Sequence, residues 1–574
     1  MSQNKFRNFT PLIIAVSLVI GIVIGSFYAS HFRSNRLSIA NSTNSKINDI
    51  LFAIEDRYVD TVDVNELVEN SLPKILSELD PHSTYTTAKE VEAEMQELKG
   101  SFSGIGVIFS IMGDTARIIR VVEGGPSEDV GLMPGDRIVK VDGKAFTGDF
   151  LTDDYAMKHL RGPINSTVKL SIKRDGQKGL KTYEVVRGPV PVKTIDVYSM
   201  LNKNTGYIKI NTFGERTYEE LLVALTELRS QGSRNLVIDL RGNGGGYMDA
   251  AIRIANQFLP KDRMIVYTEG RKSERAEYES DGRGDYQSTP LVVLVDETSA
   301  SASEIFAAAI QDNDRGMVIG RRTFGKGLVQ EPIQFPDGSL LKLTIARYYS
   351  PSGRCLQKPY VKGDDKDYQN DLFTRYQKGE LTTQDSIHLS GKQYLTHLGR
   401  TVYGGGGVMP DIFIAADTSD VTSYYMEATA SRLLAEFSYF FTDSHREAFK
   451  KYKKWEDLVS WLKKQNIVDK FASYADGKGL KRRNLLIQRS FKRLEESLTS
   501  SIIDYTFDTQ AATLYLLKDD PCISKALELI LNKQTFPQKP EKEEKVAHSK
   551  KNSNICTPLL RKNYYLCSRF TQNN

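Results

Sequence analysis

Cysteine is scarce in this chain. Its four cysteines, Cys355, Cys522, Cys556 and Cys567, are too far apart for a C-x-x-C pair. That excludes a dense disulfide framework and argues against a structural zinc site, although one disulfide in the C-terminal region is compatible with the count. Histidine is equally thin. The seven histidines are scattered and none sits in an H-E-x-x-H pattern, which argues against metalloprotease chemistry. A strong excess of one charge is also missing: 77 Lys and Arg against 72 Asp and Glu leave a net charge of +5 over 574 residues. With no nucleic-acid module in view, no DNA or RNA partner is expected. There is no repeat of fixed period, no G-K-[ST] phosphate loop and no dinucleotide glycine spacing.

What is present is globular. Apolar residues make up 40% and charged residues 26% of the chain, and the length suggests three or four units at roughly 150 residues each. Between Arg7 and Arg33 there is no charged side chain, and Leu12 to Tyr28 is nearly all apolar. At about 1.5 Å per residue such a helix crosses a hydrocarbon core of roughly 30 Å. Lys5 and Arg7 precede it, so the N-terminus is expected in the cytoplasm and the bulk outside. No A-x-A cleavage site follows, which favours a retained anchor over a cleaved signal peptide.

Helical spacing runs from Ile47 to Leu79 and stops at Asp80-Pro81-His82-Ser83, where proline ends the helix. Strand-like alternation dominates from about Ser101 to Val186. From about Val192 strands and helices alternate, which implies a layered sheet with crossover helices. Residues Glu427 to Leu531 look helical, and beyond Phe536 the composition is that of a disordered tail.

Three segments carry candidate chemistry. Ser299-Ala300-Ser301-Ala302-Ser303-Glu304 lies between an apolar strand and a helix. A small-residue turn there exposes a hydroxyl at a helix N-terminus, where free amides and the dipole favour an oxyanion; a plain helix cap is the simpler reading. No histidine lies nearby to serve as base. Lys326, in Thr323-Phe324-Gly325-Lys326-Gly327-Leu328, can serve if burial draws its pKa from about 10.4 towards 7–8; a surface lysine in a glycine turn is the alternative. Asp239-Leu240-Arg241-Gly242-Asn243-Gly244-Gly245-Gly246 follows an apolar strand, and its glycines let the backbone turn an N–H towards a ligand.

Taken in order, these segments closely resemble the carboxyl-terminal processing peptidases, also called tail-specific proteases. The resemblance covers most of Ile47 to about Asp417 and includes Leu79-Asp80-Pro81-His82-Ser83, Leu160-Arg161-Gly162-Pro163, Asp239-Leu240-Arg241, Ser299 to Glu304, Thr323 to Gln330 and Tyr349 to Arg354. It implies a serine endopeptidase using a Ser–Lys dyad. The nucleophile is the middle serine, Ser301, and the lysine follows 25 positions later at Lys326. Gln330 would orient the lysine amine. The N–H groups of Ala302 and Gly245 would form the oxyanion hole, with Asp239, Arg241 and Glu304 in support. Where the family usually has Asn-Pro-Gly-Gly this chain has Asn243-Gly244-Gly245-Gly246, which leaves the oxyanion glycine uncertain by one position. The β segment resembles a PDZ domain, with Gly104, Ile105, Gly106 and Val107 as the loop that takes a peptide's terminal carboxylate.

The expected architecture is therefore multidomain α+β. A stub and transmembrane helix occupy 1–34, and a linker with a helical region 35–96. A PDZ domain covers 97–187, and 188–419 form a layered α/β peptidase core of the ClpP/crotonase kind. A helical C-terminal extension at 420–534 and a disordered tail at 535–574 complete the chain. The expected protein sits in the inner membrane through one N-terminal helix, with its catalytic part on the periplasmic or extracytoplasmic side. Its partners would be protein substrates held by their C-terminal tails. No metal or organic cofactor is called for. An adaptor or activator protein, a homo-oligomer, and the trimming or full degradation of substrates are all compatible with the sequence. The rival readings are a catalytically inactive membrane-tethered PDZ adaptor and an acyl-CoA enzyme of related layered architecture.

Overall fold

The computed structural model describes residues 41–91, 100–364, 366–386 and 391–540. The expected anchor over 1–34 lies outside the described residues, as do Cys556 and Cys567; among those described, no helix is long and apolar enough to cross a membrane. Cys355 and Cys522 are free thiols.

Two helices, Asn41–Arg57 and Val64–Ser77, open the described chain. The second starts where the Asp63 carboxylate accepts the N–H groups of Asn65 and Glu66, a side-chain cap for otherwise orphaned donors. It ends before Asp80-Pro81, which turns the chain into the short strand Thr84–Thr86.

The β domain alternates as its sequence does. In Thr167–Lys173 the side chains of Val168, Leu170 and Ile172 are buried while those between face out, the period-two pattern of a half-buried strand. With Val107–Met112, Thr115–Val121, Arg137–Val141 and Lys181–Val186 it forms an antiparallel sheet, and Val107–Met112 lies at its edge. The chain enters and leaves this domain through one ribbon, Ser101–Gly104 paired with Gly188–Pro191.

The core holds two sheets. Val197–Asn202 and Thr205–Lys209 pair antiparallel. Asn235–Asp239, Leu291–Val295, Met317–Gly320 and Ile412–Phe413 then add in parallel. Every residue of Leu291–Val295 is buried, so both faces of this sheet are covered, as a parallel strand requires. One face, with Ile238, Val293 and Val318, packs on Leu225, Ile254 and Phe306 from three crossover helices. The other face, with Val237, Val292 and Leu294, packs on Leu517, Ile523, Ala526 and Leu529. Those residues belong to the expected C-terminal extension, so its last helices, Thr509–Leu517 and Pro521–Leu531, complete the core. Only the stretch from Tyr424 to Ala512 builds a hydrophobic core of its own. Order also continues past 534: Thr535 is buried and Arg315 lies over the Phe536 ring.

The second core sheet is made of Thr84–Thr86, Met264–Glu269, Ala276–Glu279, Leu328–Gln334 and Leu340–Tyr349. Leu340–Tyr349 pairs with both Thr84–Thr86 and Leu328–Gln334. This brings the Asp80-Pro81-His82-Ser83 turn alongside the segment that follows Lys326.

The helical region also docks on the β domain. The Arg120 guanidinium donates to Asp504 Oδ1 at 2.9 Å, to the Asp504 carbonyl at 3.0 Å and to Thr509 Oγ1 at 2.9 Å. Arg117 sits 5.0 Å from the Phe440 ring centroid.

Candidate active site

The three serines of Ser299-Ala300-Ser301-Ala302-Ser303 are separated by their partners. Ser299 and Ser303 are fully buried. Their hydroxyls donate to the carbonyls of Leu240 at 2.8 Å and Asn243 at 2.9 Å. Ser301 is half-exposed and caps the helix Ala302–Asp312 with φ 57° and ψ −115°. A non-glycine residue at positive φ is strained, and such strain persists only where the surroundings impose it. Here Glu304 does so: its Oε2 accepts the Ser301 N–H at 2.9 Å.

Glu304 is the link between the serine and the lysine. The same Oε2 accepts the Lys326 N–H at 2.8 Å, while Oε1 accepts the Gly325 N–H at 2.8 Å and the Thr323 hydroxyl. Burial pushes its carboxyl above the usual range, and these hydrogen bonds oppose that by favouring the ionised form. Lys326 is half-buried. Its Nζ donates to Gln330 Oε1 at 3.0 Å, and Gln330 Nε2 donates to the His82 carbonyl. Tyr348, buried and with its phenol held well above its ordinary pKa by burial, donates to the Lys326 carbonyl.

Gly245 lies against the serine but not as expected. A Cβ there would come within 2.7 Å of Ser301 Cβ and 3.0 Å of the Ala302 nitrogen, so only glycine fits. Its N–H, however, donates to Asn243 Oδ1 at 2.8 Å. The expected oxyanion donor is here engaged by the buried Asn243 side chain two residues earlier. Ala302 opens its helix, so its N–H lies outside the intrahelical ladder.

Asp239 and Arg241 sit one step away. Asp239 accepts Arg241 N and Nε, each at 2.9 Å, and Nη2 at 2.7 Å. Burial would raise the Asp239 carboxyl, but the charge and hydrogen bonds of Arg241 outweigh it and hold it low. Arg241 Nη1 then reaches Asp520 at 2.6 Å, and Asp520 caps the helix Pro521–Leu531. The pair thus ties the strand end to the C-terminal helix, and none of its hydrogen bonds goes to Ser301.

Sequence reasoning did not single out Asn243, Thr323, Tyr348 or the cluster behind Gln330. In that cluster His82 Nε2 meets the Tyr368 hydroxyl at 2.6 Å. Burial first, then the charge of Lys326, lower the imidazole to about 4. Asp80 holds the turn by accepting the His82 and Ser83 N–H groups, each at 2.9 Å. The Leu79-to-Ser83 motif was the available signal for this cluster. Among the described residues no cluster of three or more His, Cys, Asp or Glu side chains is placed to hold a metal ion.

In the β domain, Ile105, Gly106 and Val107 line a cavity of about 450 Å³ together with Phe102, Phe109, Met157 and Leu160. Gly104 closes the ribbon strand beside it. The cavity lies between the edge strand Val107–Met112 and the helix Asp153–Leu160.

Comparison with known proteins matches a model of peptidase family S41 to residues 204–366 and a PDZ-domain model to residues 103–185. A model of a family of unknown function matches 424–508. A probable CtpA-like serine protease of Staphylococcus haemolyticus is 33% identical over 368 residues, 63% of this chain and 73% of that protein. A carboxy-terminal-processing protease of Bartonella bacilliformis is 32% identical over 357 residues, 61% of this chain and 81% of that protein. Among solved structures, a photosystem II D1 C-terminal processing protease is 26% identical with a TM-score of 0.33, covering 65% of this chain and 94% of that one.

Proposed function

The chain belongs to peptidase family S41, as a carboxy-terminal processing serine protease with a PDZ domain, and from that premise we propose that Ser301 and Lys326 are its catalytic dyad. The observation that carries the assignment is the Glu304 carboxylate, which bonds the N–H groups of both residues and so holds two separate loops at one point.

In the proposed reaction neutral Lys326 accepts the Ser301 hydroxyl proton as Oγ bonds to the scissile carbonyl carbon. Gln330 fixes the amine through the His82 carbonyl. The Ala302 N–H stabilises the oxyanion. Collapse breaks the C–N bond, and the leaving amine takes the proton from Lys326. Water, deprotonated by the same amine, then hydrolyses the acyl-enzyme and restores the serine. The substrate is a protein whose C-terminal tail adds as a strand to Val107–Met112, with its carboxylate at the Gly104-to-Val107 loop. The apolar run Leu12 to Tyr28, flanked by Lys5 and Arg7, supports a membrane-anchored enzyme with its catalytic part on the extracytoplasmic side.

The test uses wild type, Ser301→Ala and Lys326→Ala with a flexible protein ending in apolar residues, or the same protein ending in charged ones, and reads products by mass spectrometry. Cleavage by wild type alone is expected, faster on the apolar tail, with each variant down by at least about 10²–10⁴-fold. Cleavage retained in both variants would remove the dyad. Tight binding of the apolar tail with no cleavage by any form would favour the adaptor reading.

A further inference from the structure

The tail groove is not built by the PDZ domain alone. Arg432, which lies outside the residues matched by the PDZ model, lines the same cavity as Ile105, Val107 and Met157. Its Nη1 donates to Asp153 Oδ2 at 2.9 Å, across a sequence separation of 279 residues. It adopts a left-handed backbone, φ 59° and ψ 11°, immediately before the helix Leu433–Ser444. A strained non-glycine residue pointing into a ligand groove motivates a functional reading. Its place is fixed because Arg120 and Arg117 pin the helical region to the β domain.

The groove has two ends. Arg161 follows the helix Asp153–Leu160 and lies over the Phe102 ring at 4.5 Å, at the end where Gly104 to Val107 would meet a terminal carboxylate. Asp153 and Arg432 mark the other end, about 10 Å away along the helix at 1.5 Å per residue. A bound strand rises about 3.3 Å per residue and its side chains alternate faces, so the side chains that share the last one's face and come nearest that end are two and four residues before it. Asp153 engages one donor of a guanidinium that has five. The pair is well exposed, with side-chain accessibilities of 71% and 44%, so it is weak and readily shared with an incoming group.

We propose that Arg432 is a specificity-determining residue that selects protein tails carrying an Asp or Glu two or four residues before an apolar C-terminus. A carboxylate there takes the free donors of Arg432 without displacing Asp153. A lysine there meets the cation and is disfavoured. This rests on the PDZ tail-binding reading given above.

The test measures binding of fluorescent ten-residue peptides to the full chain carrying Ser301→Ala. The peptides end in the same apolar residue and carry Glu, Ala or Lys at the third or the fifth position from the end. An amidated version of each controls for carboxylate binding. The Glu peptide is expected to bind about threefold to fivefold tighter than the Lys peptide, the most an exposed ion pair supports. Adding Arg432→Gln should bring that ratio to about one, and Arg432→Glu should invert it. An unchanged ratio in Arg432→Gln, or no discrimination in the parent, would overturn the role of Arg432 and leave tail binding intact. Equal binding of free and amidated peptides, or none at all, would overturn the tail-binding reading and this inference with it. An unchanged melting temperature shows that each variant is folded.

Discussion

Glu304 is the residue on which the site's geometry turns. It is fully buried, and every group bonded to it is a donor. Glu304→Gln would turn an amide N–H towards those donors. The expected result is a loss of about 1–3 kcal/mol of stability for the unmatched group. kcat should fall and KM change little, because the proposed dyad is misaligned while the proposed tail groove is untouched; thermal melts and steady-state kinetics check both. His82 gives a pH signature. Its folded pKa of about 4 lies below its ordinary 6.5, so between those values the unfolded chain binds a proton that the folded one does not. Its contribution is complete above about 6.5 and is lost as pH falls towards 4. His82→Asn should flatten the fall in melting temperature over that window; an unchanged fall would assign it to other groups.

At the scale of elements, Pro521–Leu531 matters most because it covers one face of the core sheet. Leu529 is 3% exposed against that face, so Leu529→Ala should cost about 2–5 kcal/mol, read as a shifted denaturant midpoint. This helix was legible in the sequence as a helix, but its partner was not: an apolar stripe says that a face is buried, never against what. The strand Leu291–Val295 and the alternation of Thr167–Lys173 were legible because each carries its own period. The meeting of Lys326 with Gln330 was legible through wording and spacing. His82 and Tyr348 were not assigned to the site, because pairing of Leu340–Tyr349 with Thr84–Thr86 joins segments far apart in sequence and leaves no local pattern. The commitment of the Gly245 N–H to Asn243 was hidden because the same glycines permit several turn geometries.

For the whole molecule, the helical region is a brace between the peptidase core and the β domain. Arg120 is the main polar contact to the latter. Arg120→Ala should release the two bodies from each other at a cost of about 1.5–3 kcal/mol, typical of hydrogen bonds to a charged group. Faster hydrogen exchange around 115–121 and 491–506 would report it; unchanged exchange would show that the apolar contacts suffice. The order of synthesis follows from the same brace. The β domain, closed by its own ribbon at 188–191, can fold while translation continues. The sheet that presents Ser301 stays half-uncovered until the helix ending at Leu531 emerges, so on the proposed reading the nascent chain can grip a tail before it can cut one.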